Sequence, residues 1–306
     1  MTDYSKHIWY NNEIIEWDNA NTHVMSHVIH YGSGVFEGIK CYNTHKGPAI
    51  FRLEDHVDRL YESAKVYGIK IPFDKQTIFD GCIDTVNKNA LSDCYIRPIA
   101  FYGYDTLGVN PKKCPVNVAI ATFFWGAYLG DKGLSKGVDI CLSPFEKFSY
   151  KAIPSTAKAS GQYLNSMLSV NYAKDKGYDE GLLLDSRGFI AEGSGQNIFI
   201  VKSGKVYTND EKSSILLGIT RETIIQLCKE IGVEIIIKDL SLDELIDADE
   251  AFFTGTASEV TPIVSLDDKK INSGEIGEIT RQLKQLYMDI ILGKSEKHLP
   301  WLTFIK

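Results

Sequence analysis

Pro154-Ser155-Thr156-Ala157-Lys158-Ala159-Ser160-Gly161-Gln162-Tyr163 sets one lysine among small side chains, just ahead of a segment where Leu164, Met167, Leu168 and Tyr172 recur at helical spacing. Proline, serine, threonine and glycine before that segment read as a loop feeding a helix start. With so little bulk around Lys158, a planar group has room to lie against the backbone. An amine in a partly desolvated pocket sheds its charge more readily and becomes a nucleophile toward a carbonyl. A solvated surface lysine is the other reading of the same residues.

The totals are compatible with an enzyme. A chain of 306 residues can bury a large core and organise about two domains. Its 44% hydrophobic and 24% charged content is that of a globular protein. A net charge of −7 argues against nucleic acid and against an acidic membrane surface, while small anionic substrates need only a local positive pocket. Cys41, Cys82, Cys94, Cys114, Cys141 and Cys228 form no CxxC pair and read as free thiols of a reducing compartment. Residues 1–7 lack the apolar core of a signal peptide, and no apolar run approaches a membrane span. A cytoplasmic protein is expected.

Outward from the lysine, local patterns predict alternating strands and helices. Residues 8–17 read as a hairpin turning at Asn11-Asn12. The glycines of 32–38 are spaced GxGxxxG with no strand leading in, so they do not predict a dinucleotide site. His27 and His30 lack a carboxylate or cysteine partner at ligand spacing and read as structural, so no metal is expected. Leu53, Val57, Leu60 and Ala64 predict a helix, and Asp74 caps the next one. Residues 95–101 alternate as a strand, with Tyr95 and Arg97 on one face suited to a carboxylate or to a structural ion pair. Strands follow over 116–124 and 138–142, with hairpins over 181–192 and 197–208. Thr220 reads as the cap of a helix ending at Gly232, and a final amphipathic helix covers 276–292. Glycines over 125–134 mark a linker, dividing the chain into a small N-terminal domain, 1–124, and a large C-terminal one, 135–306, expected to carry Lys158.

A pyridine aldehyde phosphate needs an amine, an acid facing the ring nitrogen, a phosphate hole and a trap for the substrate carboxylate. Lys158 is a candidate amine, and Glu192 ends a strand at a glycine-flanked turn. Gly218-Ile219-Thr220 opens a helix, where a phosphate is favoured, and Gly255-Thr256-Ala257 offers further N–H donors. Each has a bland reading as surface acid or ordinary capping turn.

Together these stretches resemble the branched-chain amino-acid aminotransferases, members of the fold-type IV pyridoxal-phosphate enzymes. The resemblance rests on His30-Tyr31-Gly32-Ser33-Gly34-Val35-Phe36-Glu37-Gly38, Tyr95-Ile96-Arg97-Pro98, Gly108-Val109-Asn110-Pro111, Trp125-Gly126-Ala127-Tyr128, Lys158, Glu192-Gly193, Gly218-Ile219-Thr220-Arg221 and Gly255-Thr256-Ala257-Ser258-Glu259. It implies an α/β architecture of two domains with pyridoxal 5'-phosphate in the cleft between them. Lys158 is then the Schiff-base lysine and general acid/base, and Glu192 pairs with the pyridine nitrogen. Arg59, Ile219, Thr220 and Thr256 hold the phosphate, and Tyr163 contacts the ring oxygen.

By the same resemblance, Tyr95 with the N–H groups of Thr256 and Ala257 takes the α-carboxylate, and Arg97 takes a distal one. Phe36, Gly38 and Tyr128, with Tyr31 and Val109 of the neighbouring subunit, line the side-chain pocket. The activity implied is transamination of leucine, isoleucine or valine with 2-oxoglutarate, with a homodimer as the minimum unit and a hexamer compatible with it. D-amino-acid aminotransferases and aminodeoxychorismate lyases share the lysine and the glutamate. The Tyr95–Pro98 and Gly108–Pro111 stretches favour the branched-chain branch. Lys40, Gln162 and Gln196 depart from the family pattern. A rival reading takes Ser155-Thr156-Ala157-Lys158 as the SxxK of a serine acyl-transfer enzyme, but Ser92-Asp93-Cys94 is a poor S-D-N and stands before it. A binding module without catalysis is the non-enzymatic alternative.

Overall fold

A computed structural model of the chain describes residues 5–126 and 129–305. It has two compact units, one of Met1–Trp125, Ala157–Gln162 and Asp289–Lys306, the other of Gly126–Thr156 and Tyr163–Met288. The mixed α/β architecture expected from the sequence is present, each unit carrying its own sheet.

The chain begins with β1 (His7–Tyr10), β2 (Glu13–Glu16), α1 (His27–Tyr31), β3 (Gly34–Phe36), β4 (Ile39–Thr44) and β5 (Gly47–Phe51). Next come α2 (Leu53–Val66), α3 (Lys75–Lys88), β6 (Cys94–Tyr102) and β7 (Val116–Phe123). The second unit runs through α4 (Gly130–Lys136), β8 (Val138–Leu142), α5 (Tyr163–Asp175), β9 (Glu180–Leu184), β10 (Ile190–Gly193), β11 (Asn197–Lys202) and β12 (Lys205–Thr208). It continues with α6 (Ile219–Glu230), β13 (Ile235–Ile237), α7 (Leu242–Ile246), β14 (Glu250–Gly255), β15 (Glu259–Leu266), β16 (Lys269–Lys270) and α8 (Glu278–Ile291). The last strand is β17 (Leu302–Phe304).

In the first unit the sheet is antiparallel in the order β17-β5-β4-β6-β7-β1-β2, with β3 also paired to β6. Asn11 and Asn12 turn the β1–β2 hairpin with φ of 49° and 72°, the two left-handed positions that asparagine tolerates. α2 turns Leu53, Val57, Leu60 and Ala64 into a core shared with Ile39, Ile50, Ile78, Ile96 and Ile120. Asp74 caps α3 by accepting from Thr77 N–H at 2.8 Å.

Backbone contacts fix the lysine loop to this unit. Phe36 N–H donates to Lys158 O at 3.0 Å, and Lys158 N–H donates to Ser63 Oγ at 3.0 Å. Ala159 bridges antiparallel to Val35, and Gly161 N–H donates to Gly32 O at 3.2 Å. Gly32 ends α1 at φ 63°, and a Cβ there would lie 2.7 Å from Gly161 Cα.

In the second unit the order is β10-β9-β8-β15-β14-β11-β12-β13, with β8 parallel to both neighbours. Ile140, Leu182, Ile198, Phe253 and Ile263 form its core. Here two local expectations change. The face of α5 that carries Leu164, Met167 and Leu168 is exposed, and Ser166, Ser169 and Ala173 face inward instead. Small residues win because α5 lies so close to β9 that a Cβ on Gly181 would meet Ser169 Oγ at 2.4 Å. At α6 the cap is Gly218, extended at φ −71° and ψ 140°, so Thr220 sits inside the first turn.

Gly32→Ala should cost at least about 2 kcal/mol, from left-handed strain and the collision with Gly161 Cα together. Urea denaturation measures it, and a loss below about 0.5 kcal/mol would mean that the Gly32–Gly161 approach does not hold the loop.

Candidate active site

The first unit gathers Lys158, Arg59, Phe36, Gly38, Tyr95 and Arg97. β3 and α2 hold the Lys158 backbone, and its Nζ lies 5.0 Å from the centre of the Phe36 ring. Burial first, then the Arg59 guanidinium, bring the Lys158 pKa down to about 8, with Arg97 adding to the shift and Glu37 opposing it. Lys158 is thus half-buried rather than freely solvated. Tyr95 is buried on β6, and its hydroxyl lies where a Gly38 Cβ would be, at 1.7 Å, so only glycine fits there. Arg97 stacks over Phe36 at 4.8 Å and Tyr95 at 5.2 Å. Its buried Nε has no hydrogen-bond partner among the described residues. Among those residues no ion pair engages it either.

Glu37, directly after β3, orients Arg59. Arg59 Nε donates to Glu37 Oε1 at 2.7 Å and Nη2 to Oε2 at 2.8 Å, and His56 Nδ1 lies 2.8 Å from Oε2. Burial alone would raise the Glu37 pKa; the Arg59 charge and hydrogen bonds, with His56, hold it well below the carboxylate range. Burial lowers His56 in turn. Sequence reasoning named Arg59 but missed Glu37 and His56. The i, i+3 spacing of His56 and Arg59 on α2 was the signal available.

Elements of the second unit bring Glu192, Thr220, Ile219, Thr256 and Ala257 together. Glu192 is buried near the end of β10. Its Oε1 is 2.7 Å from Lys147 Nζ, and its Oε2 accepts from Asn197 Nδ2 and Leu216 N–H, both at 3.2 Å. Asn197 Oδ1 then accepts from Gly218 N–H at 3.2 Å, tying the carboxylate to the start of α6. Gly218 has no side chain to cap that helix. The β14–β15 turn stands beside the Glu192 turn, with a Gly255 Cβ position 3.4 Å from Gly195 O. Its N–H groups at Thr256 and Ala257 reach no acceptor among the described residues. Glu259 closes the turn at φ 52°, a conformation usually left to glycine.

The remaining predicted residues fall outside these two groups. Tyr163 is half-buried as the first residue of α5. Tyr31 and Val109 are exposed, at 45% and 77%, and the Tyr31 hydroxyl donates to Leu107 O at 2.9 Å. Tyr128 lies outside the described residues. Each departure from the family pattern has a contact: Gln162 Nε2 donates to Tyr67 at 2.9 Å, Gln196 Nε2 donates to Glu180 at 2.9 Å, and Lys40 lies over Tyr42. His27 packs as a structural ring between Ser33 Oγ and Gly108 O. Ser155, the nucleophile of the rival reading, is 3% exposed.

The family model for amino-transferase class IV matches residues 34–266. The chain is 44% identical over 306 residues to a branched-chain-amino-acid aminotransferase of Pseudomonas aeruginosa, covering 100% of this chain and 99% of that one. The Escherichia coli branched-chain amino acid aminotransferase crystal structure superposes with a TM-score of 0.97 at 42% identity, covering 99% and 100% of the two chains. A branched-chain amino acid aminotransferase from Thermobaculum terrenum, in its PLP-bound holo form, gives 0.90 at 33% identity, covering 98% of each chain.

Burying Lys158 should weaken the native state. A fall from 10.5 to about 8 corresponds to a penalty of about 3 kcal/mol while the amine is protonated. Between those two values the unfolded chain binds the proton and the folded one does not, so stability rises with pH there. In ligand-free protein Lys158→Met should therefore add about 3 kcal/mol at pH 7, an advantage that fades as pH climbs from 8 to 10.5. Urea denaturation across that range checks it; an advantage that grew with pH would contradict the burial of a charged amine.

Proposed function

The chain belongs to the class IV amino-transferase family, and from that premise we propose that it transaminates branched-chain L-amino acids with 2-oxoglutarate. Enzymes of this class work through pyridoxal 5'-phosphate, whose aldehyde accepts the amino group and whose ring takes up the electrons released at Cα. One observation carries the reading: a backbone-clamped, half-buried lysine beside Phe36, its pKa lowered to about 8.

The cofactor suits the residues present. Lys158 Nζ would be the amine that holds the aldehyde, and the same nitrogen would carry a proton to and from the substrate Cα, which its lowered pKa of about 8 favours. Glu192 would pair with the ring nitrogen, its carboxylate already fixed by Lys147, Asn197 and Leu216. Arg59, Ile219, Thr220 and Thr256 would hold the phosphate. Tyr163 meets the ring oxygen.

For the substrate, Tyr95 and the N–H groups of Thr256 and Ala257 take the α-carboxylate. Phe36, Gly38 and Tyr128 wall an apolar pocket that Tyr31 and Val109 of a neighbouring subunit complete, so a homodimer is the minimum unit. The exposure of Tyr31 and Val109, with Leu164, Met167 and Leu168 of α5 also bare, supports that assembly. Arg97 lets the same pocket accept a distal carboxylate, because its unengaged Nε pairs with glutamate and turns aside for leucine. All six cysteines are buried free thiols, which supports a cytoplasmic setting. Among the described residues no helix is long and apolar enough to cross a membrane.

Lys158→Ala should lower leucine:2-oxoglutarate transamination by roughly 10⁴-fold or more. A variant that kept full turnover would end the assignment, and parallel assays with L- and D-amino acids separate it from the D-specific branch. Arg97→Gln should raise KM for 2-oxoglutarate on the order of 10- to 100-fold while leaving KM for leucine within a few-fold. An equal loss for both substrates would remove Arg97 from the distal-carboxylate role.

A further inference from the structure

Two buried carboxylates flank the Gly193–Gln196 turn, and they are held in different ways. Glu180 Oε2 accepts from Ser194 Oγ at 2.8 Å and Gln196 Nε2 at 2.9 Å, and its Oε1 accepts from Gly181 N–H at 2.7 Å. Those donors are all neutral. Glu192 instead has a cation in contact, Lys147 Nζ at 2.7 Å, with both side chains under one-tenth exposed. The Lys147 backbone is anchored as well, its N–H donating to Leu184 O at 2.7 Å.

Stability does not explain the ammonium. Desolvating two charges costs about what their attraction returns, so a buried ion pair adds little over neutral or apolar packing. Neutral donors already hold Glu180 in the neighbouring position. The charge at Lys147 therefore has another use.

We infer that Lys147 is a positioning residue that clamps Glu192 Oε1 and sets the charge Glu192 presents to the cofactor's ring nitrogen. The inference rests on the proposed placement of Glu192 against that nitrogen. A proton shared there has two arrangements: protonated ring with carboxylate, or neutral ring with carboxylic acid. An ammonium touching the carboxylate favours the first, because it stabilises the negative charge directly. The protonated ring is the better electron acceptor, so Lys147 would act on the reaction through Glu192 without touching substrate. Asn197 holds Oε2 and Gly218 at once, so the carboxylate cannot swing toward Lys147 without disturbing the start of α6.

The test is nitrogen-15 NMR of enzyme loaded with pyridoxal 5'-phosphate labelled at the ring nitrogen. Wild type and Lys147→Arg should show the protonated ring. Lys147→Met should shift the resonance toward the neutral-pyridine position, as should Glu192→Gln. If Lys147→Met keeps the wild-type resonance while Glu192→Gln moves it, Lys147 is only a structural partner and the inference falls while Glu192 keeps its place. Equal displacement in Lys147→Met and Lys147→Arg would tie the effect to shape rather than charge and would also overturn it. An unmoved resonance in Glu192→Gln would remove Glu192 from the ring nitrogen, and the role of Lys147 with it.

Discussion

Four backbone contacts around Lys158 are the constraint on which the site depends. A lysine side chain has four rotatable bonds and little reason to stay buried on its own. Here the main chain on both sides of it is pinned, by Phe36 and Val35 of β3, by Ser63 of α2, and by the contact of Gly161 with Gly32. With the backbone held, the amine has few directions left, and each runs alongside Phe36, Arg59 or Arg97. Rigid secondary structure therefore supplies an orientation that the flexible side chain cannot supply itself. β6, which carries Tyr95 and Arg97, pairs with β3, so those two side chains and the lysine loop share one scaffold.

Much of that scaffold is legible in the sequence because its signals are local. The Asn11-Asn12 turn, the Asp74 cap and the stripe of α2 each depend on residues a few positions apart, and each forms as the spacing predicts. The alternation of 95–101 likewise puts Tyr95 and Arg97 on one face of a strand. α5 is the instructive failure. Its apolar residues mark one face, yet the helix buries serine and alanine because the approach to Gly181 leaves no room for leucine. Periodicity reports which residues are apolar; it does not report how near the next layer stands.

The site divides along the same line. Lys158, Tyr95, Arg97, Glu192 and the two N–H-bearing turns sit in recognisable short motifs. The groups that hold them do not. Lys147 lies forty-five positions before Glu192 in a stretch without regular structure, and His56 meets Glu37 from a different element. Such partners become visible only when the sheet brings them together, and nothing in composition or spacing marks Lys147 apart from its neighbours Glu146 and Lys151. The Thr220 cap fails for a related reason: the start of α6 is set by Asn197 gripping Gly218 from another strand, and a Cβ on Gly218 would lie 2.2 Å from Asn197 Oδ1.

The balance of charge shows why such partners are needed. Around Lys158 the first unit buries or half-buries one ammonium and two guanidiniums against the single carboxylate of Glu37. In a chain of net charge −7 that local surplus is uncompensated, and a low-dielectric pocket makes it costly. Glu37 neutralises one guanidinium while fixing its plane through two hydrogen bonds, and Lys158 relieves part of the remainder by releasing its proton near pH 8. What is left over is positive charge directed at Arg97 and at the amine. An anion with two separate negative ends would satisfy it better than any residue of the protein does. Among the described residues nothing answers the buried Nε of Arg97, so the fold leaves that donor's desolvation cost unrelieved.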